Sequence, residues 1–334
     1  DTVQNLLKQT YPKENWDLIV IADSFQPSTL NRLKGLPISL LEVEFEKSTK
    51  AKALNEAMRR MVEYDVAVVL DADNIVEPLF LHDINRAWAE GTQVLQCHRT
   101  AKNTQTPTAM LDAISEEVAY HIFCKGHVQA GFSSRLVGSG MAFSYSLFKE
   151  ILGGIDAVGG FDKELELKLL QQEIKIHYLP NVKVYDEKVS KAQTLQKQRL
   201  RWIAAQFHYL RVYLLPAIQA YISRRNGDFL DKSVQMLLVP RLFLIGLSFL
   251  GMLTSWIWGI PAFSWFWTAA FAMFLLAYMI GTPKKFYTWH SLKALLSLPK
   301  TMLMMALGMH KIGSANKKFI HTPHGNLPPQ SMKQ

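Results

Sequence analysis

The stretch VAVVLDADN, residues Val66–Asn74, decides the fold: a short β-branched apolar run ends in two carboxylates. The apolar part predicts a buried parallel strand, because a strand covered on both faces shows no polar–apolar alternation. Asp71 and Asp73 then follow its carboxyl end, where open α/β sheets bind ligands, and both side chains point to the same side. The pair predicts a Mg²⁺ or Mn²⁺ site that also holds phosphate. The alternative is a loop in which one Asp caps the next helix and the other is solvated.

Strands and helices alternate on both sides of this segment. The predicted strands cover residues 17–22, 38–44, 66–70 and 92–97, with a strand pair at 174–184 around Pro180-Asn181. The predicted helices cover residues 50–62, 79–90, 109–121, 162–172 and 194–220, and residues 131–143 form a loop that enters a short strand. Such βα alternation favours a mostly parallel sheet, so the predicted fold class is α/β. The chain opens on a helical pattern where such a sheet would start with a strand, which suggests that an amino-terminal segment is missing.

Charge is distributed unevenly along the chain. The 334 residues carry a net charge of +9 and are 49% hydrophobic, yet Leu242–Trp258 and Pro261–Ile280 contain no charged residue. Each stretch is close to the roughly 17–25 residues that cross a bilayer core. We therefore predict a transmembrane hairpin over residues 241–281, and the alternative is a buried helical hairpin in a large soluble fold. Four tryptophans crowd the link, as at a membrane interface: Trp256, Trp258, Trp265 and Trp267.

Basic residues at both outer ends of the hairpin predict its orientation. Arg241 precedes it and Lys284 and Lys285 follow it, so both ends, and everything before Arg241, are expected in the cytoplasm. The net positive charge favours contact with anionic membrane lipids and a phosphorylated substrate. No nucleic-acid-binding module is recognisable, so nucleic acid is not an expected partner. Cys97 and Cys124 lack metal-ligand spacing and fit a reducing compartment.

These patterns divide the chain into four predicted regions. Residues 1–203 form the α/β domain, 204–240 amphipathic interfacial helices, 241–281 the hairpin, and 282–334 an interfacial helix with a carboxyl-terminal tail. For the helix at residues 291–309, a third membrane crossing is the alternative. The helical stretch 194–220 interleaves Arg, Trp, Tyr and Leu, a composition that suits a membrane surface.

Four further motifs accompany the Asp71/Asp73 pair: Asp23 after a strand, Lys50 opening a helix, Asp162-Lys163-Glu164-Leu165-Glu166-Leu167 opening another, and Gln198-Arg199-Leu200-Arg201-Trp202. In this order they resemble the membrane-bound family 2 glycosyltransferases of the cellulose, hyaluronan and chitin synthase type. The resemblance extends from the first helix to His321-Thr322-Pro323-His324 in the tail. It implies a GT-A fold, a nucleotide-diphosphate sugar donor, expected to be a UDP-sugar, and Mg²⁺ or Mn²⁺ as cofactor.

The resemblance also assigns donor contacts. Asp23 would contact the nucleotide, and Lys50 would lie near the nucleotide and its diphosphate. Asp71 and Asp73 match the DxD motif that holds nucleotide and metal, where the metal neutralises the departing diphosphate. Arg201 of the QxxRW motif would grip diphosphate oxygens with two hydrogen bonds. A strand-end turn for Asp23 and a solvated first-turn lysine for Lys50 are the competing interpretations.

The general base is less clearly assigned, because the family's Thr-Glu-Asp motif is altered here. Alignment on the following Leu-Glu-Leu puts Glu164 at the base position and Lys163 where an acidic residue is usual. A Glu can take the acceptor proton if it comes within about 2.6–3.2 Å of the hydroxyl. Asp162 is the alternative base, although Asp is also a favoured residue at helix starts.

Acceptor contacts come from two other motifs. Gln198, Arg201 and Trp202 fall at i, i+3 and i+4 of a helix, on one predicted face, and Trp202 offers a flat surface to an acceptor sugar. Gly138-Ser139-Gly140 resembles a small-residue acceptor loop in which missing side chains let a sugar approach the backbone, and a plain turn is the alternative. The tail histidines match a segment that can order over the active site in synthases, and as solvated residues they would have no role.

The resemblance predicts an inverting glycosyltransferase that moves a sugar from a nucleotide-diphosphate sugar to a glycan acceptor, in polysaccharide synthesis at the membrane, with export or synthase subunits as further partners. Single transfer to a lipid-linked acceptor is the alternative within the same class, since two spans are few for a conducting channel. A catalytically inactive membrane scaffold or glycan-binding subunit is the alternative from another class, because the base motif is altered.

Overall fold

The computed structural model describes residues 1–155, 157, 159–238 and 240–308. The strands are β1 (Ile19–Asp23), β2 (Ser39–Val43), β3 (Val66–Val69), β4 (Ile75–Val76), β5 (Val94–Ala101), β6 (Met141–Ser144) and β7 (His177–Asp186). Helices of the first half are α1 (Thr2–Leu6), α2 (Pro27–Lys34), α3 (Lys50–Arg60), α4 (Phe80–Ala89), α5 (Pro107–Tyr120), α6 (His127–Gln129), α7 (Tyr145–Gly153) and α8 (Phe161–Gln171), with a π-helix at His121–Gly126. Those that follow are α9 (Ala192–Arg224), α10 (Gly227–Gln235), α11 (Arg241–Ile257), α12 (Pro261–Gly281), α13 (Trp289–Leu295) and α14 (Leu298–Gly308); short 3₁₀ turns cover Lys13–Asn15 and Lys284–Phe286.

The main sheet is mixed, so the prediction of a mostly parallel sheet was wrong. Its five strands have the order β3-β6-β5-β7-β4, and only β5 and β7 pair in parallel. Strands β1 and β2 form a separate two-stranded parallel sheet. The apolar run of β3 reflects burial on both faces, and burial does not encode the direction of a neighbouring strand.

Strand β7 corrects the predicted pair of strands at residues 174–184. It is one strand that stays beside β5, but the register jumps from Leu179 opposite Cys97 to Lys183 opposite His98. Pro180 lies in the extra residues of this bulge. Proline has no N–H to donate to a ladder, so it is tolerated where pairing is interrupted and does not require a turn.

Alternate residues of the central strands pack into two cores. Val94, Met141 and Phe143 face a core with helices α3, α7, α8 and α9. Leu95 and Ala142, their neighbours in sequence, face a second core with α4. The sheet is therefore covered on both faces, as the GT-A fold implied by the resemblance requires.

The second half of the chain is helical. α9 runs 33 residues without a break through position 203, the predicted domain boundary, and its Ala205, Tyr209 and Tyr213 belong to the core of the α/β domain. The single interfacial helix predicted near the carboxyl end is instead the two helices α13 and α14. Among the described residues, helices α2, α6 and α7 were not predicted, whereas α10 falls within residues 204–240, which were predicted to form amphipathic helices.

Helices α11 and α12 coincide with the predicted hairpin. Within the described ranges, α12 is the one helix long and apolar enough to cross a membrane, and only 6% of its most apolar 18 residues is buried. α11 is apolar but shorter, with 17 residues.

Candidate active site

One edge of the main sheet collects the polar side chains. Strands β3, β5 and β7 end there, and β6 begins there because it runs antiparallel to β3 and β5. After β3 the chain crosses this edge and enters β4, which pairs with β7 through Ile75 opposite Tyr185. The crossing brings the segment that contains Asp73 beside the end of β7.

Asp71, Asp73 and Asp186 form a carboxylate cluster at this edge. Each offers one oxygen, and these oxygens lie within 4.8 Å of one another. Asp71 and Asp73 are the predicted pair, whereas Asp186 was missed. Its signal in the sequence was a second strand segment that ends in Asp, Val182-Lys183-Val184-Tyr185-Asp186, although this segment is less apolar than the first. Three converging hard oxygen donors fit Mg²⁺ or Mn²⁺.

The buried side chain of Asn74 joins the cluster. Its Nδ2 donates to Asp73 Oδ1 at 3.3 Å and to Asp186 Oδ1 at 3.2 Å, while its Oδ1 accepts from the Asp71 backbone N–H at 3.0 Å. Asn74 is 0% exposed. A buried amide with these three bonds fixes the loop and orients two carboxylates.

We expect Asn74→Ala to weaken Mn²⁺ binding by about 10–100-fold, because groups that orient metal ligands contribute that much to metal affinity. Electron paramagnetic resonance titration of free Mn²⁺ would measure it. The matched control is Asn55→Ala, which removes an amide bonded to the Leu152 carbonyl at 3.0 Å, outside the carboxylate cluster. Equal Mn²⁺ affinity in Asn74→Ala and the unaltered chain would contradict the role given to Asn74.

Basic groups surround the cluster. Lys188, only 4% exposed, donates to Asp186 Oδ2 at 2.7 Å and pairs with Glu116. Arg99 donates to Glu116 Oε1 at 2.9 and 2.6 Å. Burial raises the pKa of Glu116, but the charges of Arg99 and Lys188 outweigh burial and lower that pKa overall. Glu116 is thus held as a carboxylate and compensates buried cations.

Lys50 connects the cluster to the glycine-containing loop. Its ammonium pairs with Asp71 and donates to the Gly138 carbonyl at 2.7 Å. Gly138 and Gly140 have φ of +86° and +62°, in the left-handed region that favours glycine. Gly138 lines the cavity described below, whereas Ser139 is buried and Gly140 packs against Val184.

The two candidate bases on α8 have different surroundings. Asp162 lines the cavity, and a Cβ built on Gly138 would lie 3.8 Å from its Oδ2. Glu164 is outside the described lining: its Oε2 accepts from the Tyr209 hydroxyl at 3.2 Å, and Lys168 lies 3.6 Å from its Oε1. Lys163 also lines the cavity, and burial with the nearby charge of Arg135 lowers its pKa to about 8.

Helix α9 presents one face to the cavity. That face has the helical spacing of residues 195, 198, 199, 202, 203 and 206. Gln198 and the 41%-exposed Trp202 therefore line it as predicted from their spacing, but Arg199 takes the place expected for Arg201. At 100° per residue Arg201 lies beyond the edge of that face, and burial lowers its pKa.

Asp23 is separate from these groups. It ends β1 in the two-stranded sheet, and its Oδ1 accepts hydrogen bonds from the Ser24 hydroxyl at 3.1 Å and the Ser48 hydroxyl at 3.0 Å. It is not among the described residues that line the cavity. The tail with His321 and His324 lies outside the described residues.

A cavity of about 1480 Å³ connects the carboxylate cluster with the helical half of the chain. Its polar end contains Lys50, Asp71, Asp73, Asp162 and Asp186, with α5 and α9 along its sides. Its other end lies among α11, α12, α13 and α14 and is lined mainly by apolar side chains. A charged substrate and an apolar one fit opposite ends of this space.

Comparison with known proteins gives one matching family and several solved structures that resemble this chain weakly. Mannosyltransferase PcManGT from Pyrobaculum calidifontis, solved with GDP-Man and Mn²⁺, is 17% identical, with 92% of this chain and 82% of that chain covered and a TM-score of 0.49. Residues 1–349 of S. aureus TarS are 15% identical, with 85% and 88% covered and a TM-score of 0.39. Among curated proteins, none matches this sequence significantly.

The family model described as glycosyl transferase family group 2 matches residues 66–281, from β3 through α12. The match includes the three clustered aspartates, the α8 motif and the α9 motif, whereas Asp23 and Lys50 precede it. The chain therefore belongs to glycosyl transferase family group 2 and is a glycosyltransferase.

Proposed function

We propose that this glycosyltransferase moves a sugar from a nucleotide-diphosphate sugar, a UDP-sugar, to an acceptor hydroxyl with inversion at the anomeric carbon. The observation that carries the proposal is the shared cavity, in which the carboxylate cluster, Asp162 and Trp202 meet. Asp71, Asp73 and Asp186 would hold Mg²⁺ or Mn²⁺, whose chemistry is neutralisation of the leaving diphosphate.

Asp162 is the general base in this proposal. The acceptor oxygen gives its proton to the Asp162 carboxylate and forms a bond to the anomeric carbon, while the bond from that carbon to the diphosphate oxygen breaks and the nucleoside diphosphate leaves. Asp162 is favoured over Glu164 because it lies on the cavity beside Gly138, whereas Glu164 is bonded to Tyr209 and Lys168. Trp202 offers its ring to an acceptor sugar, and Lys50 holds Asp71 and the loop in place.

The proposed location is an integral membrane site with the catalytic domain in the cytoplasm. Support comes from α12, from the exposed apolar side chains of α11, and from the basic residues at the outer ends of both helices. A soluble protein rarely exposes such a contiguous apolar surface.

For the acceptor, the apolar end of the cavity favours a lipid-linked molecule over a free polysaccharide chain. A growing polysaccharide needs a polar passage, and this end is lined by side chains such as Ile245, Phe249, Phe271 and Leu275. Single transfer to a lipid-linked acceptor is thus the form of the function that the geometry supports best.

The test uses membranes that contain the full chain, washed with alkaline carbonate, and a panel of labelled nucleotide sugars. We expect UDP release from one UDP-sugar, loss of that activity in EDTA and its return with Mn²⁺ or Mg²⁺. Nuclear magnetic resonance of the product should show inverted anomeric configuration. Activity that persists in EDTA would contradict the metal, and retained configuration would contradict single in-line displacement.

A further inference from the structure

Three arginines line the cavity in addition to the residues of its polar end. Arg135 lies in the loop before β6, Arg199 on α9, and Arg241 at the start of α11. None of them was assigned a role by the motifs. Three separate elements of the fold thus each contribute a positively charged side chain to the lining of the same cavity.

Two of the three arginines, Arg135 and Arg241, contact the same aromatic ring, and Arg199 lines the same cavity. The guanidinium carbons of Arg135 and Arg241 lie 6.0 and 5.8 Å from the centroid of the same Phe123 ring. The like charges of Arg135 and Arg199 both act on Arg241. Concentrated positive charge in a partly buried space raises the free energy of the protein unless an anion balances it.

Only part of their hydrogen-bonding capacity is used. Arg199 Nη2 donates to Asp112 Oδ1 at 2.8 Å, and Arg241 Nη2 donates to the Ser115 carbonyl at 2.9 Å. The buried Nε of Arg199 and Nη1 of Arg241 have no hydrogen-bond partner within the described ranges. The side chain of Arg135 has no hydrogen bond or ion pair to any described residue, only its contact with Phe123.

Charge and hydrogen bonding therefore point to the same type of ligand. Asp112 is the one carboxylate that pairs with this group among the described residues, so two positive charges remain uncompensated. Guanidinium forks bind phosphate oxygens through paired charge-assisted hydrogen bonds. Such an anion would accept hydrogen bonds from the buried donors. A buried donor without an acceptor costs free energy.

The space next to the arginines is apolar. Ile245 and Phe249 of α11, Phe271 and Leu275 of α12, and Leu295 of α13 line it. A hydrocarbon chain is the ligand part that gains most from such a lining, because its transfer from water is favourable.

We propose that Arg135, Arg199 and Arg241 bind the phosphate of a lipid whose hydrocarbon chain occupies the adjoining apolar space. In this proposal the acceptor is a sugar joined to a lipid through a phosphate or diphosphate. The site anchors that phosphate and leaves the hydroxyl of the sugar to reach Asp162. This inference rests on the proposed function for its catalytic meaning, but binding of the lipid phosphate is a separate property of the chain.

The test measures binding of geranyl phosphate to the full chain in non-ionic detergent by isothermal titration calorimetry. Geraniol and inorganic phosphate are the comparison ligands, since each has only one half of the chemistry. We expect geranyl phosphate to bind at least about tenfold more tightly than either, as a set of charge-assisted hydrogen bonds predicts. Equal affinity for geraniol, or for inorganic phosphate, would overturn the proposal.

Two variants probe the arginines. Arg135→Gln and Arg241→Gln should each weaken geranyl phosphate binding by about tenfold or more. Arg135→Gln is the more informative, because this side chain has no hydrogen bond in the described fold and its loss should leave the fold intact. The control Arg86→Gln removes the same charge from a side chain that is 73% exposed and paired with Asp83, and it should change affinity by less than about twofold. Affinity in Arg135→Gln equal to that of the unaltered chain would also overturn the proposal.

Nucleotide-sugar consumption separates this inference from the proposed function. Consumption of a UDP-sugar without geranyl phosphate binding would remove the lipid site and leave sugar transfer standing. Geranyl phosphate binding that depends on Arg135, without consumption of any nucleotide sugar, would support the lipid site and remove sugar transfer.

Discussion

Replacing Asp186 with Asn is expected to lower the rate of nucleotide-sugar consumption by about 10³-fold, as much as replacing Asp73 with Asn. Both substitutions leave a side chain of the same size but remove one of the three charges that converge within 4.8 Å. An amide oxygen is a weaker donor for a hard divalent cation than a carboxylate. Initial rates at saturating Mn²⁺, together with Mn²⁺ affinity measured by magnetic resonance, would show the effect.

Asp83→Asn is the matched control for these two variants. It removes a carboxylate from an ion pair with Arg86 on α4, away from the cavity, and should leave the rate unchanged. If Asp186→Asn kept both the rate and the Mn²⁺ affinity of the unaltered chain, Asp186 would not belong to the metal site.

Asp162→Asn is expected to lower the turnover rate by about 10²–10⁴-fold, the usual contribution of a positioned general base. The amide cannot take the proton of the acceptor hydroxyl, but it keeps the size of the carboxylate. Mn²⁺ affinity should be unaffected, since Asp162 is not one of the three clustered carboxylates. Single-turnover measurement of product at saturating donor and acceptor would isolate this step.

Glu164→Gln provides the comparison, because it tests the residue that sequence alignment puts at the base position. We expect it to reduce turnover by less than about tenfold, through the loss of its contacts with Tyr209 and Lys168. The opposite result, with Glu164→Gln inactive and Asp162→Asn active, would assign the base to Glu164 and require α8 to turn in the substrate complex.

The sequence was sufficient to predict the Asp71/Asp73 pair and the spacing of Gln198 and Trp202 on α9. Local periodicity determines both, because an apolar strand and a long helix set the directions of their own side chains. It was not sufficient for Asp186, which joins the cluster through pairing of the two-residue strand β4 with β7. The paired residues are 110 and 108 positions apart in the sequence, and neither segment alone shows that the other is its neighbour.

The remaining differences have similar causes. Strand direction in the main sheet could not be predicted from apolar runs, because burial on two faces looks alike in parallel and antiparallel strands. Arg199 and Arg201 are two residues apart, and only the packed orientation of α9 decides which of them meets the cavity. The choice between Asp162 and Glu164 depends on the same kind of rotation about α8.

The crossing of the chain from β3 to β4 has a thermodynamic consequence. The three carboxylates converge only after both outer strands of the five-stranded sheet have assembled, since Asp71 follows one and Asp73 precedes the other. A divalent ion would therefore have affinity for the native ensemble and little for the denatured one, and mass action would shift the folding equilibrium. The same three carboxylates would then determine both metal affinity and the stability of the fold. Removal of the ion would therefore lower the free energy of unfolding as well as stop the reaction.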